Sequence, residues 1–336
     1  MKILVTGGTG FLGRRIVAEL AERHELRLLV RAGSSRDRFP AGVEFAAGDV
    51  TDRLSLVRAA AGCDAVIHAA ALVKILAPAE QFDRINVGGL ENVLAAAEQA
   101  GTVERVVYVS SFIALGPTEK GPGGMLDESA DAGDHRDRVW INDYERTKAL
   151  ADRLARRAIA GGAPLMVVYP GVIYGQGEMT EGNIVVRHIL DLVHGRLPAL
   201  LGKPERRWNY VNVADVARGV ALTLEKAKPG ARYMLGGENV VQSDFYALVG
   251  RLTGAKIPSL RLPDAVAKAA GGLQKIWAQM RKTMPQLTPD LVDIYKHDWA
   301  YRSDRAAAEI GYTWRTLEQG LTETVAWLKG TAEWKK

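Results

Sequence analysis

The stretch Thr6-Gly7-Gly8-Thr9-Gly10-Phe11-Leu12-Gly13 constrains this chain more than any other. It follows the apolar, strand-like run Ile3-Leu4-Val5. It opens a segment whose apolar residues, Phe11, Leu12, Ile16, Val17 and Leu20, recur at helical spacing. A strand, a glycine turn and a helix N-terminus in succession make a phosphate site. Glycines let the backbone turn tightly and approach a ligand, while the free N–H groups and the dipole of the helix favour an anion. The glycine spacing alone is common; the strand before it and the helix after it make it informative.

The alternation continues. Residues 26–30 and 43–46 read as strands, 54–61 as a helix, 65–68 as a strand and 82–100 as a long helix. Strand 106–110, helix 144–160 and strand 165–169 follow. This βαβ order with β-branched strands predicts an α/β fold, a doubly wound parallel sheet with helices on both faces. After Gly175 the pattern loosens. Helices are expected at 183–192 and at 215–225 with Asp215 as N-cap, a loop at 198–207, and a strand at 232–235 ended by Gly236-Gly237. From Ser243 the chain reads as mainly helical. The expected division is a nucleotide-binding domain of residues 1–175 and 209–240, and a smaller, mainly helical substrate domain of residues 176–208 and 241–336.

Several function classes recede. The single cysteine, Cys63, excludes an intramolecular disulfide and a cysteine-based zinc site, and fits a reducing cytoplasm. Met1-Lys2 leads straight into the first strand with no signal-like segment. Apolar stretches such as 65–73 are too short to span a bilayer. The net charge of +5 is scattered, with small clusters at Arg14-Arg15 and Arg206-Arg207, so no nucleic-acid face is expected. Six dispersed histidines and no clustered carboxylates recommend no metal.

Cofactor preference is read at the end of the second strand, where an acidic residue binds the ribose of NAD and an arginine pairs with the 2′-phosphate of NADP. Here Arg31 ends that strand, Arg36 follows, and no carboxylate lies between them. This predicts NADP(H), with NAD as the alternative. Asp49-Val50 suits the adenine position, or Asp49 caps the helix that follows. Tyr144 and Lys148, four residues apart, share a helix face. A lysine there favours the phenolate and tunes the tyrosine for proton transfer, although an ordinary i,i+4 surface pair has the same spacing. Ser110-Ser111 ends the strand 106–110 where open α/β sheets place ligands.

With Asp49-Val50, His68-Ala69-Ala70, Asn86-Val87-Gly88-Gly89, Ser110-Ser111, Tyr144/Lys148 and Pro170-Gly171-Val172-Ile173-Tyr174-Gly175 in this order, the chain resembles the extended short-chain dehydrogenase/reductase, or NAD-dependent epimerase/dehydratase, family. Within it, dihydroflavonol-reductase-like, 3β-hydroxysteroid-dehydrogenase-like and hopanoid-associated sugar epimerase-like members look similar. The resemblance implies a Rossmann domain and a catalytic set of Ser111, Tyr144 and Lys148, with Lys148 also holding the nicotinamide ribose. It implies that Gly7, Thr9, Gly10, Phe11, Leu12 and Gly13, with Ala69, Ala70, Asn86, Pro170 and Val172, bind the cofactor, and that the protein is a homodimer. His68 reads as a packed structural histidine. Val172 stands where sugar-nucleotide members often carry asparagine.

The function implied is NADP(H)-dependent interconversion of a ketone and a secondary alcohol on a moderately apolar small molecule. The alternatives are a redox-neutral, NAD-dependent epimerase or dehydratase of a nucleotide sugar, and a redox-sensing protein that has kept the fold without the catalysis. Substrate identity is expected in residues 74–79, in the loop 116–142, which would close over the substrate, and in the carboxy-terminal segments. Residues 265–284 carry Val266, Leu273, Ile276, Trp277, Met280 and Met284 among Lys268, Lys275, Arg281 and Lys282. That pattern fits a lid or a membrane-surface helix, but packing between domains is the expectation, because Gly271-Gly272 should interrupt the helix.

Overall fold

Runs such as Ile3-Leu4-Val5 and Val106-Val107-Tyr108-Val109 leave a strand no wet face, and they form the centre of a parallel sheet covered on both sides. The computed structural model describes residues 1–336 except 75, 120, 131–138, 181, 282, 284, 286 and 336, and the side chain of 122. In chain order the elements of the first half are β1 (Lys2–Thr6), α1 (Phe11–Leu20), β2 (Glu25–Val30), β3 (Glu44–Ala47), α2 (Arg53–Ala60), β4 (Ala65–His68), α3 (Ala79–Phe82), a π-helical segment (Asp83–Val87), α4 (Gly88–Ala100), β5 (Arg105–Val109), α5 (Asp143–Ala160) and β6 (Leu165–Pro170). There follow β7 (Val172–Tyr174), α6 (Ile184–Val193), β8 (Arg207–Asn212), α7 (Val213–Lys226), β9 (Arg232–Leu235), β10 (Glu238–Val241), α8 (Gln242–Thr253), α9 (Asp264–Arg281), α10 (Pro289–Tyr295), α11 (Asp304–Ile310) and α12 (Leu317–Lys329).

The strand order β3-β2-β1-β4-β5-β6-β9 is parallel throughout, with the topological switch between β1 and β4. Alternate side chains of the sheet feed two cores. One packs Ile16, Val17, Val216 and Val220 of α1 and α7; the other packs Leu56, Leu90, Val93 and Ala151 of α2, α4 and α5. The expected doubly wound α/β fold is therefore observed.

The details differ in four places. The long helix expected at 82–100 is broken by the π-helical turn, where Gly88 N–H bonds Asp83 O, five residues back. Helix α7 starts two residues before Asp215 and is capped by Asn212, whose side chain accepts from Ala214 N–H at 2.9 Å. Asp215 is buried instead, paired with Arg315, 100 residues later. Strands β7, β8 and β10 form a second, three-stranded sheet that the sequence pattern did not predict; β9 alone of the later strands joins the large sheet.

The fourth difference is α9, which runs unbroken through Gly271-Gly272. Gly271 marks a close crossing: a Cβ there would stand 2.9 Å from the Thr288 carbonyl carbon. Ala267, Gly271 and Ala278 form its packed face, and the large apolar residues expected to pack between domains are exposed. Lys282 and Met284 lie outside the described residues.

Candidate active site

The glycine turn is built by close approach of backbone to backbone. Gly7 has φ +73°, and a Cβ on it would stand 2.5 Å from Ala70 N and 2.6 Å from Ala69 C. A Cβ on Gly13 would stand 2.0 Å from Gly7 O, because the first turn of α1 packs onto the loop itself. Gly10 differs: a Cβ on it meets only Gly7 O, at 3.3 Å. It caps α1 with no side-chain hydrogen bond, so the first N–H groups of that helix take no internal cap. This cradle, formed by Gly7, Gly10 and Gly13 at the uncapped start of α1, fits the pyrophosphate of a dinucleotide. Phe11 is buried against the backbone of Gly177. Ala69 and Ala70 flank the turn at the end of β4, where Ala70 N–H donates to Thr6 Oγ1 at 3.4 Å.

Arg31 is exposed at the end of β2. Arg36 lies 5.6 Å from the Phe45 ring centroid, and Arg14 lies 4.6 Å from that of Phe39 and donates to Asp37 O at 3.0 Å. Arg14 thus fastens the 31–39 loop to the first turn of α1, and its Nε lies 3.3 Å from a carboxylate oxygen of Glu178. In the sequence Arg14 stands out only as part of a small basic cluster, although its place in the first helical turn after the glycines is a signal for this contact. Asp49 does not cap α2. Its carboxylate accepts from Thr51 N–H and Oγ1, both at 2.8 Å, and Asp52 is the cap. Val50 packs on Gly89.

Asn86 is buried in the π-helical segment with both amide N–H groups engaged inside the protein. They donate to Leu72 O at 3.2 Å and to Thr147 Oγ1 at 3.0 Å, while the amide oxygen accepts from Leu72 N–H at 2.7 Å. Its visible work is to position residue 72 and α5 rather than to reach a ligand. Pro170 ends β6, and Val172 pairs with Tyr210 across β7 and β8. Between them Gly171 is required, since a Cβ would stand 2.4 Å from Asn209 Oδ1.

Helix α5 begins where Asn142 Oδ1 accepts from Glu145 N–H (2.8 Å) and the Glu145 carboxylate accepts from Ile141 N–H (2.7 Å). Arg146 fixes its first turn laterally, donating to both oxygens of Asp83 at 2.7 and 2.9 Å and to Asp143 at 3.0 Å. Tyr144 stands between these anchors, and Lys148 follows one turn further along α5. Lys148 is buried, donates to Val109 O at 3.2 Å and lies 5.2 Å from the Tyr108 ring centroid. Burial pushes its pKa down to about 7. The Tyr144 phenol is raised above its ordinary value, chiefly by burial, while a hydrogen bond from Ser111 works the other way. This corrects the expectation that Lys148 depresses the tyrosine. With no acid beside it, the buried lysine sheds its own charge readily, and desolvation dominates at the phenol.

Ser111 Oγ also accepts from Ile113 N–H at 3.4 Å, whereas Ser110 Oγ is buried and faces the Tyr108 hydroxyl. His68 is the packed residue expected. Its Nδ1 shares a 2.7 Å hydrogen bond with Thr6 Oγ1, its ring stacks on Tyr108 at 5.7 Å, and burial pushes its pKa down to about 3.

Phe112, directly after Ser111, packs into a buried aromatic cluster. The Phe112 ring centroid lies 5.5 Å from that of Trp299 and 5.8 Å from that of Tyr301, whose hydroxyl donates to Phe112 O at 3.1 Å. The front of the expected closing loop is tied to this segment, through Thr118 N–H to Asp298 O (2.9 Å) and a bridge between Leu126 and Tyr301. Its continuation at 131–138 lies outside the described residues, as does residue 75 of the 74–79 segment.

Comparison with known proteins agrees with this geometry. The model of the NAD dependent epimerase/dehydratase family matches residues 3–236. A putative dihydroflavonol 4-reductase of Synechocystis is 30% identical, over 97% of this chain and 94% of its own length. Sterol demethylase protein B of Methylococcus capsulatus is 30% identical over 98% of both chains. The solved UDP-glucose 4-epimerase of Thermus thermophilus, in complex with NAD, shares the fold at a TM-score of 0.73 and 24% identity, over 99% of this chain and 100% of its own. With the cradle, the switch point and the Ser111–Tyr144–Lys148 group in place, the chain belongs to the NAD dependent epimerase/dehydratase family and is an NAD(P)-dependent oxidoreductase of the extended short-chain dehydrogenase/reductase type.

Proposed function

We propose that this enzyme uses NADP(H) to interconvert a ketone and a secondary alcohol on a moderately apolar small molecule. The observation that carries the reading is the hydrogen bond of Ser111 with Tyr144, one helical turn from the buried Lys148: a hydroxyl pair able to hold and protonate a carbonyl oxygen. The names of relatives support it, since they include reductases and a 3 beta-hydroxysteroid dehydrogenase/Delta 5-->4-isomerase of Mycobacterium tuberculosis, 29% identical. Val172 supports it too, because a hydrocarbon there offers a sugar no hydrogen bond.

A nicotinamide held between the glycine turn and Lys148 would supply or accept the hydride. The residues of the chain do the rest. Tyr144, kept protonated at neutral pH by burial, gives its proton to the oxygen being reduced and takes one back in oxidation. Ser111 holds that oxygen and, through its hydrogen bond, lowers the cost of the phenolate. Lys148, which donates to Val109 O at the end of β5, would hold the nicotinamide ribose, and with a pKa of about 7 it carries its charge only part of the time at neutral pH. Arg31, with Arg36 nearby, supports selection of the 2′-phosphate. Family resemblance further supports a homodimer through α5.

The test begins by identifying any nucleotide released on denaturation and titrating the apo-protein with NADPH and NADH. Tighter NADPH binding, weakened about tenfold by Arg31→Ala with NADH unchanged, supports the reading. Stoichiometric, tightly held NAD would replace it with the redox-neutral epimerase or dehydratase. Tyr144→Phe should abolish turnover while leaving NADPH affinity nearly intact; retained turnover removes Tyr144 from the chemistry.

A further inference from the structure

We propose that α9 docks this protein on a lipid bilayer carrying anionic headgroups. Val266, Leu273, Ile276, Trp277 and Met280 are 53%, 65%, 55%, 56% and 70% exposed. At about 100° per residue they fall in one stripe roughly 100° wide, with Ala269 among them and Ala265 and Ala270 at its borders. No carboxylate shares the stripe. The fold uses a different face, the small residues Ala267, Gly271 and Ala278, to seat α9 near α10. The helix therefore carries two apolar faces, and its bulkier one is turned to solvent.

Charge favours an anionic surface. The acids near the base of the helix each stand beside a lysine: Asp293 by Lys268 (2.7 Å), Asp290 by Lys275 (4.0 Å) and Asp264 by Lys296 (3.7 Å). At the margin of the stripe the charge is positive, with the Arg281 guanidinium 4.5 Å from the Trp277 ring centroid. An indole and a cation side by side on an apolar ridge suit the headgroup boundary, where the ring is half buried and the charge stays wet. The chain as a whole carries +5.

The test is flotation of the full chain with vesicles of phosphatidylcholine and phosphatidylglycerol, 7:3, beside vesicles of phosphatidylcholine alone. Wild type should float with the anionic vesicles and several-fold less with the neutral ones. Ile276→Glu with Trp277→Glu should cut flotation at least tenfold while NADPH affinity and native mass stay unchanged. If that double variant loses its melting transition, Met280→Glu alone takes its place and should cut flotation at least threefold. Wild type that stays at the bottom of the gradient, or floats as well as a folded variant, overturns the proposal. Equal flotation on both vesicle types removes its electrostatic part. A variant whose native mass halves would assign the face to a second copy instead. The readout needs no turnover, so it stands or falls separately from the proposed reaction.

Discussion

Two glycines of the turn should fail in different ways when replaced by alanine. At Gly13 the new Cβ would stand 2.0 Å from Gly7 O and 2.8 Å from Gly7 C and Gly8 Cα. All three are backbone atoms, with no rotamer to yield, and an ordinary contact lies near 3.5 Å. The turn must therefore move by more than an ångström, and overpacking of that kind costs about 1–3 kcal/mol. Gly13→Ala should lower the melting temperature by several degrees and weaken NADPH as well, because the displaced turn no longer presents its N–H groups. At Gly10 the Cβ meets only Gly7 O at 3.3 Å, which a shift of a few tenths of an ångström relieves. Gly10→Ala should melt within about 0.5 kcal/mol of wild type, as a substitution without a clash does. Its methyl group would instead occupy the approach of the pyrophosphate. Losing one charge-assisted bond of about 1.5–3 kcal/mol would weaken NADPH roughly 10- to 100-fold. Calorimetric titration with NADPH and thermal melting of both variants decide the matter. A Gly10→Ala protein that binds NADPH normally, or a Gly13→Ala protein as stable as wild type, would refute the reasoning.

Other outcomes follow from the same geometry. Lys148 has a folded pKa of about 7 against an ordinary 10.5, so its burial penalty is fully present below pH 7 and is relieved as the pH rises towards 10.5. Lys148→Met should therefore stabilise the apo-protein by about 2 kcal/mol or more at pH 6.5, with the gain shrinking by pH 9.5, while turnover is lost; melting curves at the two pH values test this. Arg146→Lys cannot hold both oxygens of Asp83 while also reaching Asp143. It should lower kcat about tenfold by misplacing Tyr144, with NADPH affinity within twofold and stability within about 1 kcal/mol, since Asp83 is about half exposed and the pair is partly screened. Steady-state kinetics with a model ketone separate that outcome from a purely structural loss. His68→Leu should cost about 1–3 kcal/mol, because it leaves the buried Thr6 hydroxyl without its 2.7 Å partner; chemical denaturation measures it.

The large sheet was legible because its signals are local: an apolar run, a turn residue, a helical period. What escaped has distant causes. Strands β7, β8 and β10 are three to six residues long, and each finds its partner across a gap in sequence, so no window contains the pair. Asp215 looks like a cap because acids often are, but its partner Arg315 lies 100 residues away. The π-helical turn adds one residue to a helical repeat, too little to disturb an apolar pattern, yet it sets both Asp83 and Asn86 against α5. In the candidate site, the residue types and their order were readable from the chain. The balance between burial and charge at Tyr144 and Lys148 was not, because it depends on how much protein surrounds each group. Gly271 misled in the same way: as a helix breaker it predicted an interruption, whereas in the fold it permits a crossing.

The contact of Phe112 with Trp299 and Tyr301 ties two distant stretches of the chain together. Phe112 follows Ser111 directly, while Tyr301, 189 residues later, belongs to the carboxy-terminal segment and donates to the Phe112 carbonyl. Trp299 and Tyr301 are wholly buried, so a substitution at either disturbs the support of the segment that follows Ser111. A change inherited near the end of the gene can thus reach the chemistry without altering a single reacting group.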